Sequence, residues 1–366
     1  MRAKISTGLL MLGVLLISVF ILFVGCIKTP SLVGPSPTCK PEPEKNKVAI
    51  VIVKDGIYDT GIISSQISAY YEAVNKDLNI ENVGIKKFDG ETINELDNFV
   101  EELYLRENVA YIVLIGDDLP VADVTKDDHR NLHAIYERLV CINKERCFNA
   151  CSNIAISYIL PPIFYPDDDK ADFVLKILET YTDYHDNFAT YDSKYQKSVL
   201  YIKAKDPPDV EGPPEHVGYD LPKIIVFTTE REKVKDELRS KHIILTYPCG
   251  AHGSPTSIGI GLSDYGIQTT LEEYSSFVKE NGVPALFIDA ATCGASVIKS
   301  NNLSYCCWPQ IYMESGVWAY YILGGGGSEI IRMQEAFSKE ETIGLAIRKN
   351  IIGQALIFGD ILAHIK

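Results

Sequence analysis

The feature that most constrains this chain is the recurrence of short, largely apolar runs, each closed by glycine, proline or aspartate. They fall at 48–53, 110–115, 242–247 and 283–289. Runs this short and this uninterrupted read as strands buried on both faces. Between the first two, residues 62–78 and 92–105 carry apolar residues at helical spacing, with a short strand expected near 83–85. Thr92, preceded by Glu91, or Asp89 is a plausible start for the second helix. Strand, helix, strand, helix, strand predicts an α/β fold, a parallel-rich sheet flanked by helices. Further strands are expected at 153–159, 198–202 and 223–227, and helices over 171–184 and 229–240.

At 366 residues the chain has room for one large domain or two lobes. The expected division is 1–27 as an anchor or lipoprotein signal, 28–46 as a tether, 47–196 as a first lobe and 197–366 as a second. Arg2 and Lys4 precede twenty uncharged residues, 8–27, enough to cross a bilayer as a helix. The leading positive charges predict a cytoplasmic N-terminus and an exported remainder. Phe23-Val24-Gly25-Cys26 looks like a bacterial lipobox, with cleavage before Cys26, and a plain signal anchor is the alternative. Both readings expect a membrane-anchored, extracytoplasmic protein at the cell surface. The Pro- and Ser-rich stretch that follows suits an extended tether, and Cys39 within it has no assignable role. A net charge of -14 argues against nucleic acid or anionic membrane surfaces as partners.

The chemistry concentrates in two blocks of one design, an apolar run, a small-residue turn, then a reactive side chain. The first leads from 242–247 to Ala251-His252-Gly253-Ser254, the second from 283–289 to Ala291-Thr292-Cys293-Gly294. Residues just past the carboxyl ends of parallel strands line the ligand crevice of open α/β sheets. A His and a Cys delivered there from two strands suit a thiolate–imidazole pair. Cys249, Cys306 and Cys307 lack the strand-end setting, and His216 stands alone in the proline-rich loop 205–221. Ser254 and Ser257 lie outside any nucleophile-elbow pattern.

Other signals are weaker. His129 and His133, beside Asp127 and Asp128 and ahead of Cys141, Cys147 and Cys151, match no zinc signature and suit a surface loop. Asp167, Asp168 and Asp169 suit a solvated helix start better than a calcium loop. Gly259-Ile260-Gly261 has the wrong spacing and setting for a dinucleotide loop, and Gly324–Gly327 reads as a strand exit. No metal ligand is assigned.

With these motifs in place, the chain resembles the gingipain-type cysteine peptidases of the caspase-like clan, as a divergent member. The resemblance rests on Ala251-His252-Gly253, on Ala291-Thr292-Cys293 and on their separation of 293 - 252 = 41 residues. Further blocks follow in the same order. These are the strand ending Ile115-Gly116-Asp117 with Pro120, the segment from Asn153 to Pro161, the run 316–324, Thr342-Ile343-Gly344-Leu345-Ala346, and Ile357-Phe358-Gly359-Asp360. The resemblance spans roughly 47–366 and implies a caspase-like sandwich of two lobes.

It also implies a membrane-anchored, extracytoplasmic cysteine endopeptidase working through a thioester. Cys293 would attack the scissile carbonyl and His252 would protonate the leaving amine. The N–H groups of Gly253 and Cys293 would hold the oxyanion. Asn153 falls where the family has an acidic residue, and an asparagine can orient an imidazole. The alternative is a weak or inactive caspase-like surface module that binds peptide or a protein partner. No cofactor is required, structural calcium fits the family, and the substrate is a peptide or protein. Asp264 and Glu272 would favour a basic side chain if they face the pocket.

Overall fold

Chain order through the first half follows the apolar pattern. β1 (Lys47–Val53), α1 (Gly61–Leu78), β2 (Asn82–Phe88), α2 (Ile93–Glu107) and β3 (Val109–Ile115) are followed by β4 (Ala155–Ile159) and α3 (Asp167–Asp192). The computed structural model describes residues 44–54, 56–58, 60–116, 153–162, 164–203, 221–247, 257–258, 260, 262, 269–290, 308–323, 339, 341–349 and 355–365. All of these belong to one unit, Pro37–Lys366.

Local chemistry explains the helix ends. The Thr60 hydroxyl accepts from the Ile63 N–H, and Thr92 and Glu95 form a reciprocal capping box. Both helices stop at an asparagine in the left-handed conformation, Asn79 and Asn108. Asp167, Asp168 and Asp169 are exposed in the first turn of α3, where carboxylates favour the helix dipole. That is the solvated helix start the sequence suggests. α3 runs well beyond the expected 171–184, continuing through a kink at Asn187 (φ -126, ψ 27).

The second half supplies β5 (Gln196–Lys203), β6 (Lys223–Phe227), α4 (Arg231–Ser240), β7 (His242–Tyr247), β8 (Ser257–Ile258) and β9 (Thr269–Thr270). It continues with α5 (Leu271–Asn281), β10 (Ala285–Ala290), α6 (Trp308–Ser315), β11 (Ala319–Leu323), α7 (Ile343–Arg348) and β12 (Ala355–Gly359). Ten strands form one sheet in the order β2-β1-β3-β4-β12-β11-β10-β7-β5-β6, while β8 and β9 pair apart from it. The protein is thus α/β, with parallel strands flanked by helices. Strands before residue 196 fill one side of the sheet and later ones the other.

One pairing decides what lies near what. β12 runs parallel to β4 but antiparallel to β11. The sheet is therefore two parallel blocks of opposite direction, β2-β1-β3-β4-β12 and β11-β10-β7-β5-β6. The carboxyl ends of β7, β10 and β11 share an edge with the start of β4. The opposite edge gathers the end of β12 and the starts of β10 and β11. The core follows the sheet: β1, β3 and β4 are buried along almost their whole length.

Candidate functional site

β7 and β10 are parallel neighbours, with Tyr247 opposite Ala290 at their last residues. The chain leaves both strands at one edge, five residues before His252 and three before Cys293. His252, Gly253 and Cys293 lie outside the described residues, as do all the cysteines, His129, His133, His216, Ser254, Asp264 and the glycines at 324–327. Glu272 is exposed in the first turn of α5. Just inside this edge, the Thr246 hydroxyl donates to Asp289 Oδ2 at 2.7 Å, and both residues are buried. Burial, with a contribution from Asp289, pushes the neighbouring Tyr201 hydroxyl up to about 12.

Asn153 enters β4 at this same edge, three strand positions from β10, or about 14 Å at ordinary strand spacing. Its side-chain N–H donates to the Tyr104 hydroxyl at 3.2 Å. Its carbonyl accepts from Arg348 Nε at 3.0 Å, and Arg348 lies over the Tyr111 ring, 5.3 Å from its centroid.

Three histidines are described, and none belongs to the sequence-predicted site. His242 opens β7, with Nδ1 2.7 Å from Ser198 Oγ and Nε2 3.2 Å from Glu237 Oε2. The order Ser, His, Glu imitates a hydrolytic triad. Ser198 is only 4% exposed, however, and the group lies where β5 and β7 begin, away from the carboxyl edge. Burial lowers the His242 pKa, so a neutral ring accepting from serine and donating to glutamate satisfies all three groups. It is a structural tie.

His185 and His364 belong to a larger buried group at the opposite edge. His185 Nδ1 lies 2.8 Å from Asp77 Oδ2, and its Nε2 lies 2.8 Å from Asp360 Oδ2. His364 Nε2 lies 2.6 Å from the same Asp77 oxygen. Asp360 also accepts from the Tyr70 hydroxyl (2.7 Å), Trp318 Nε1 (2.8 Å) and the Leu362 N–H (2.9 Å). The side chains of Asp77, His185, Asp360 and His364 are at most 2% exposed.

Burial by itself would lower the His185 pKa, but the Asp360 and Asp77 carboxylates outweigh it and hold it at about 9. Burial works the other way on Asp360, and the His185 charge outweighs it, so its carboxyl stays below the usual range. Desolvation first, then Asp360, raises the Tyr70 hydroxyl well above its ordinary value. Gly359 makes the approach possible. Its φ is +106, and a Cβ there would lie 2.6 Å from the Trp318 carbonyl. The sequence singles out Gly359-Asp360 but gives no sign of the partners, which come from α1, α3, the residue before β11 and the C-terminal segment.

No protein-family model matches the chain, and no curated protein does. Among solved structures it is similar to a sugar ABC transport substrate-binding protein from Bordetella parapertussis, at 12% identity and TM-score 0.21, over 84% of each chain. It is also similar to a carbohydrate transporter solute-binding protein from Agrobacterium radiobacter, solved with D-arabinose. That match has 11% identity and TM-score 0.19, covering 81% of this chain and 90% of that one. A third is an ABC transporter solute-binding protein from Aeropyrum pernix K1, at 11% identity and TM-score 0.20, covering 85% and 76%. At these TM-scores the likenesses carry no statement about this chain's ligand.

These findings correct the sequence reading. No family model and no curated protein matches, so the chain is not assigned to the gingipain-type peptidases. The peptidase label that came with that resemblance is not carried over. The physical reason is that an apolar strand followed by small residues recurs in any parallel α/β sheet, wherever a buried strand must turn sharply. The order of such blocks follows the fold as readily as a family. The span expected over 8–27 lies outside the described residues, and among the described residues no helix is long and apolar enough to cross a membrane.

Proposed function

We propose that the protein is a cysteine-dependent hydrolase of acyl bonds, with Cys293 as nucleophile and His252 as the acid–base group. Peptide amides are the first substrates to test. The reading stands on this chain's own residues. What supports it is the strand order: β7 and β10 are adjacent, parallel and end level at Tyr247 and Ala290. Strand ends about 4.8 Å apart leave a segment of five residues and one of three within each other's reach.

In this mechanism His252 takes the Cys293 proton, and the thiolate attacks the carbonyl carbon. The N–H groups of Gly253 and Cys293 stabilise the oxyanion. His252 then protonates the leaving group, and water attacks the thioester with His252 as base. No cofactor enters this sequence. Asn153 starts β4 at the same edge and is a positioning residue in the proposal, acting on the crevice from beyond the dyad. The two-lobed, caspase-like version of the α/β fold belongs to the same reading, and the placement of the strands before residue 196 on one side of the sheet and the later ones on the other supports it. So does an extracytoplasmic, membrane-anchored location, on the strength of residues 1–27.

The test is labelling of the full chain with a thiol-directed peptide electrophile, followed by peptide mapping. Labelling at Cys293 that falls in His252→Ala supports the dyad. Equal labelling in that variant sinks it. Labelling without turnover on any peptide of a broad library favours the alternative, a crevice that binds peptide or a protein partner and does not cleave.

A further inference from the structure

We propose that Asp77, His185 and His364 form a site for one divalent transition-metal ion of the zinc class, at the sheet edge opposite the proposed dyad. One atom from each residue, Asp77 Oδ2, His185 Nδ1 and His364 Nε2, converges on one small volume, all within 4.8 Å of one another. Two imidazole nitrogens and one carboxylate oxygen suit zinc, cobalt or nickel. Calcium and magnesium take oxygen ligands and would be poorly served.

The geometry is near what such an ion needs. Four-coordinate zinc with bonds of about 2.0–2.1 Å sets its ligand atoms about 3.3 Å apart. The present separations from Asp77 Oδ2 are 2.8 Å to His185 and 2.6 Å to His364, hydrogen-bond lengths. Loading therefore lengthens these two separations by about half an ångström and sets the two imidazole nitrogens, now within 4.8 Å of each other, at the same spacing, within the play of side-chain torsions. The second Asp77 oxygen or one water completes four-coordination.

Two independent features go beyond the three ligands. The first is a ready outer shell. A metal-bound histidine ordinarily donates its other ring N–H to a carboxylate, and His185 Nε2 faces Asp360 at 2.8 Å. Asp360 is itself fixed by Tyr70, Trp318 and the Leu362 N–H, and the His185 ring sits edge-on to Trp318 at 5.2 Å. The second is charge. Metal ligation takes both imidazoles neutral, and the two buried carboxylates beside them then carry -2, which one divalent ion cancels within the group. Such cancellation is what makes a buried charged group tolerable.

The ligands come from α1, α3 and the segment after β12, so the ion would fasten the C-terminal segment to two helices. A site this closed is structural and is loaded as the chain folds. It takes no part in the acyl chemistry proposed at the other edge.

The experiment uses the full chain with its thiols alkylated, which removes the cysteines as rival ligands and silences Cys293. The protein is refolded with Zn2+ or Co2+, dialysed against a weak chelator and measured for bound metal, Co2+ absorption and thermal midpoint. The expected result is about one ion per chain, the visible bands of tetrahedral Co2+, and a higher midpoint than the metal-free chain. His364→Gln should lose the ion. Asp360→Asn, which leaves the three ligands in place, should weaken binding about 10- to 100-fold. If His364→Gln fails to fold, Asp360→Asn and the wild-type titration still decide. Less than about a tenth of an equivalent bound to wild type would overturn the proposal. So would equal affinity in wild type and Asp360→Asn.

Discussion

The two edges of the sheet are built on opposite principles. At the carboxyl edge of β7 and β10, two local motifs each follow a strand, and the strands are adjacent in space. At the other edge, Asp77, His185, Asp360 and His364 come from three separate parts of the chain with no motif linking them. The segments that follow β7 and β10 are rich in small residues, which suits a site that must admit a substrate. The second edge is sealed, with its polar groups turned on one another, which suits holding the fold together. Reactive residue types alone do not tell these apart. His242 makes the same point: its Ser198 and Glu237 contacts imitate catalysis where both Ser198 and His242 are buried.

Removing the chemistry at one edge should leave the other edge unchanged. Cys293→Ala should cut peptide hydrolysis by about 10⁴-fold or more, as loss of a nucleophile does, with the thermal midpoint unchanged. A fall in midpoint comparable to that of a core variant would show the cysteine to be a packing residue.

The converse change is Asp360→Ala. It strips an acceptor from Tyr70, Trp318 and the Leu362 N–H and leaves His185 with one carboxylate fewer. The expected cost is about 3–5 kcal/mol in urea denaturation, with the Cys293 labelling rate of the remaining folded protein unaltered. A loss under about 1 kcal/mol would mean the cluster contributes little to holding the C-terminal segment.

A gentler probe of the same edge is pH. In the metal-free chain the folded pKa of His185 is raised from 6.5 to about 9. Its stabilisation is therefore complete below 6.5 and is lost as pH rises through 9. The raised His185 and lowered Asp360 values describe one interaction and count once. Stability measured between pH 6 and 10 should fall by an amount on the order of 3 kcal/mol. His185→Gln should flatten the curve. An unchanged slope in that variant would assign the effect to other groups.

The smallest effect is expected at Asn153, whose amide already donates to Tyr104. Asn153→Ala should change kcat/KM of the hydrolase by less than about tenfold, under about 1.4 kcal/mol. A loss of 10³-fold would make it a full member of the site.

Much of the fold is legible locally. The runs 48–53, 110–115 and 242–247 become β1, β3 and β7 because the first two are unbroken apolar stretches and the third is largely apolar, and such runs must be covered on both faces. Thr92 starts α2 as its side-chain chemistry predicts. The length of α3 was not legible, because three aspartates at its start and Asn187 within it look like loop residues. Of the candidate site, the sequence offers His252 and Cys293 through their strand-end setting. It offers Asn153 only through a resemblance that brings no family with it.

By itself, then, the sequence determined which segments are strands and helices and which reactive residues follow a strand end. Those are properties of six to twenty neighbouring residues. The tertiary structure alone decided that β12 turns antiparallel to β11, which brings the start of β4 to the edge where β7 and β10 end. It alone brought Asp77, His185, Asp360 and His364 into hydrogen-bond distance. The reason is physical. Strand pairing and side-chain convergence depend on contacts between residues tens to hundreds of positions apart, and no local pattern of polarity records which distant partner will neutralise a buried charge.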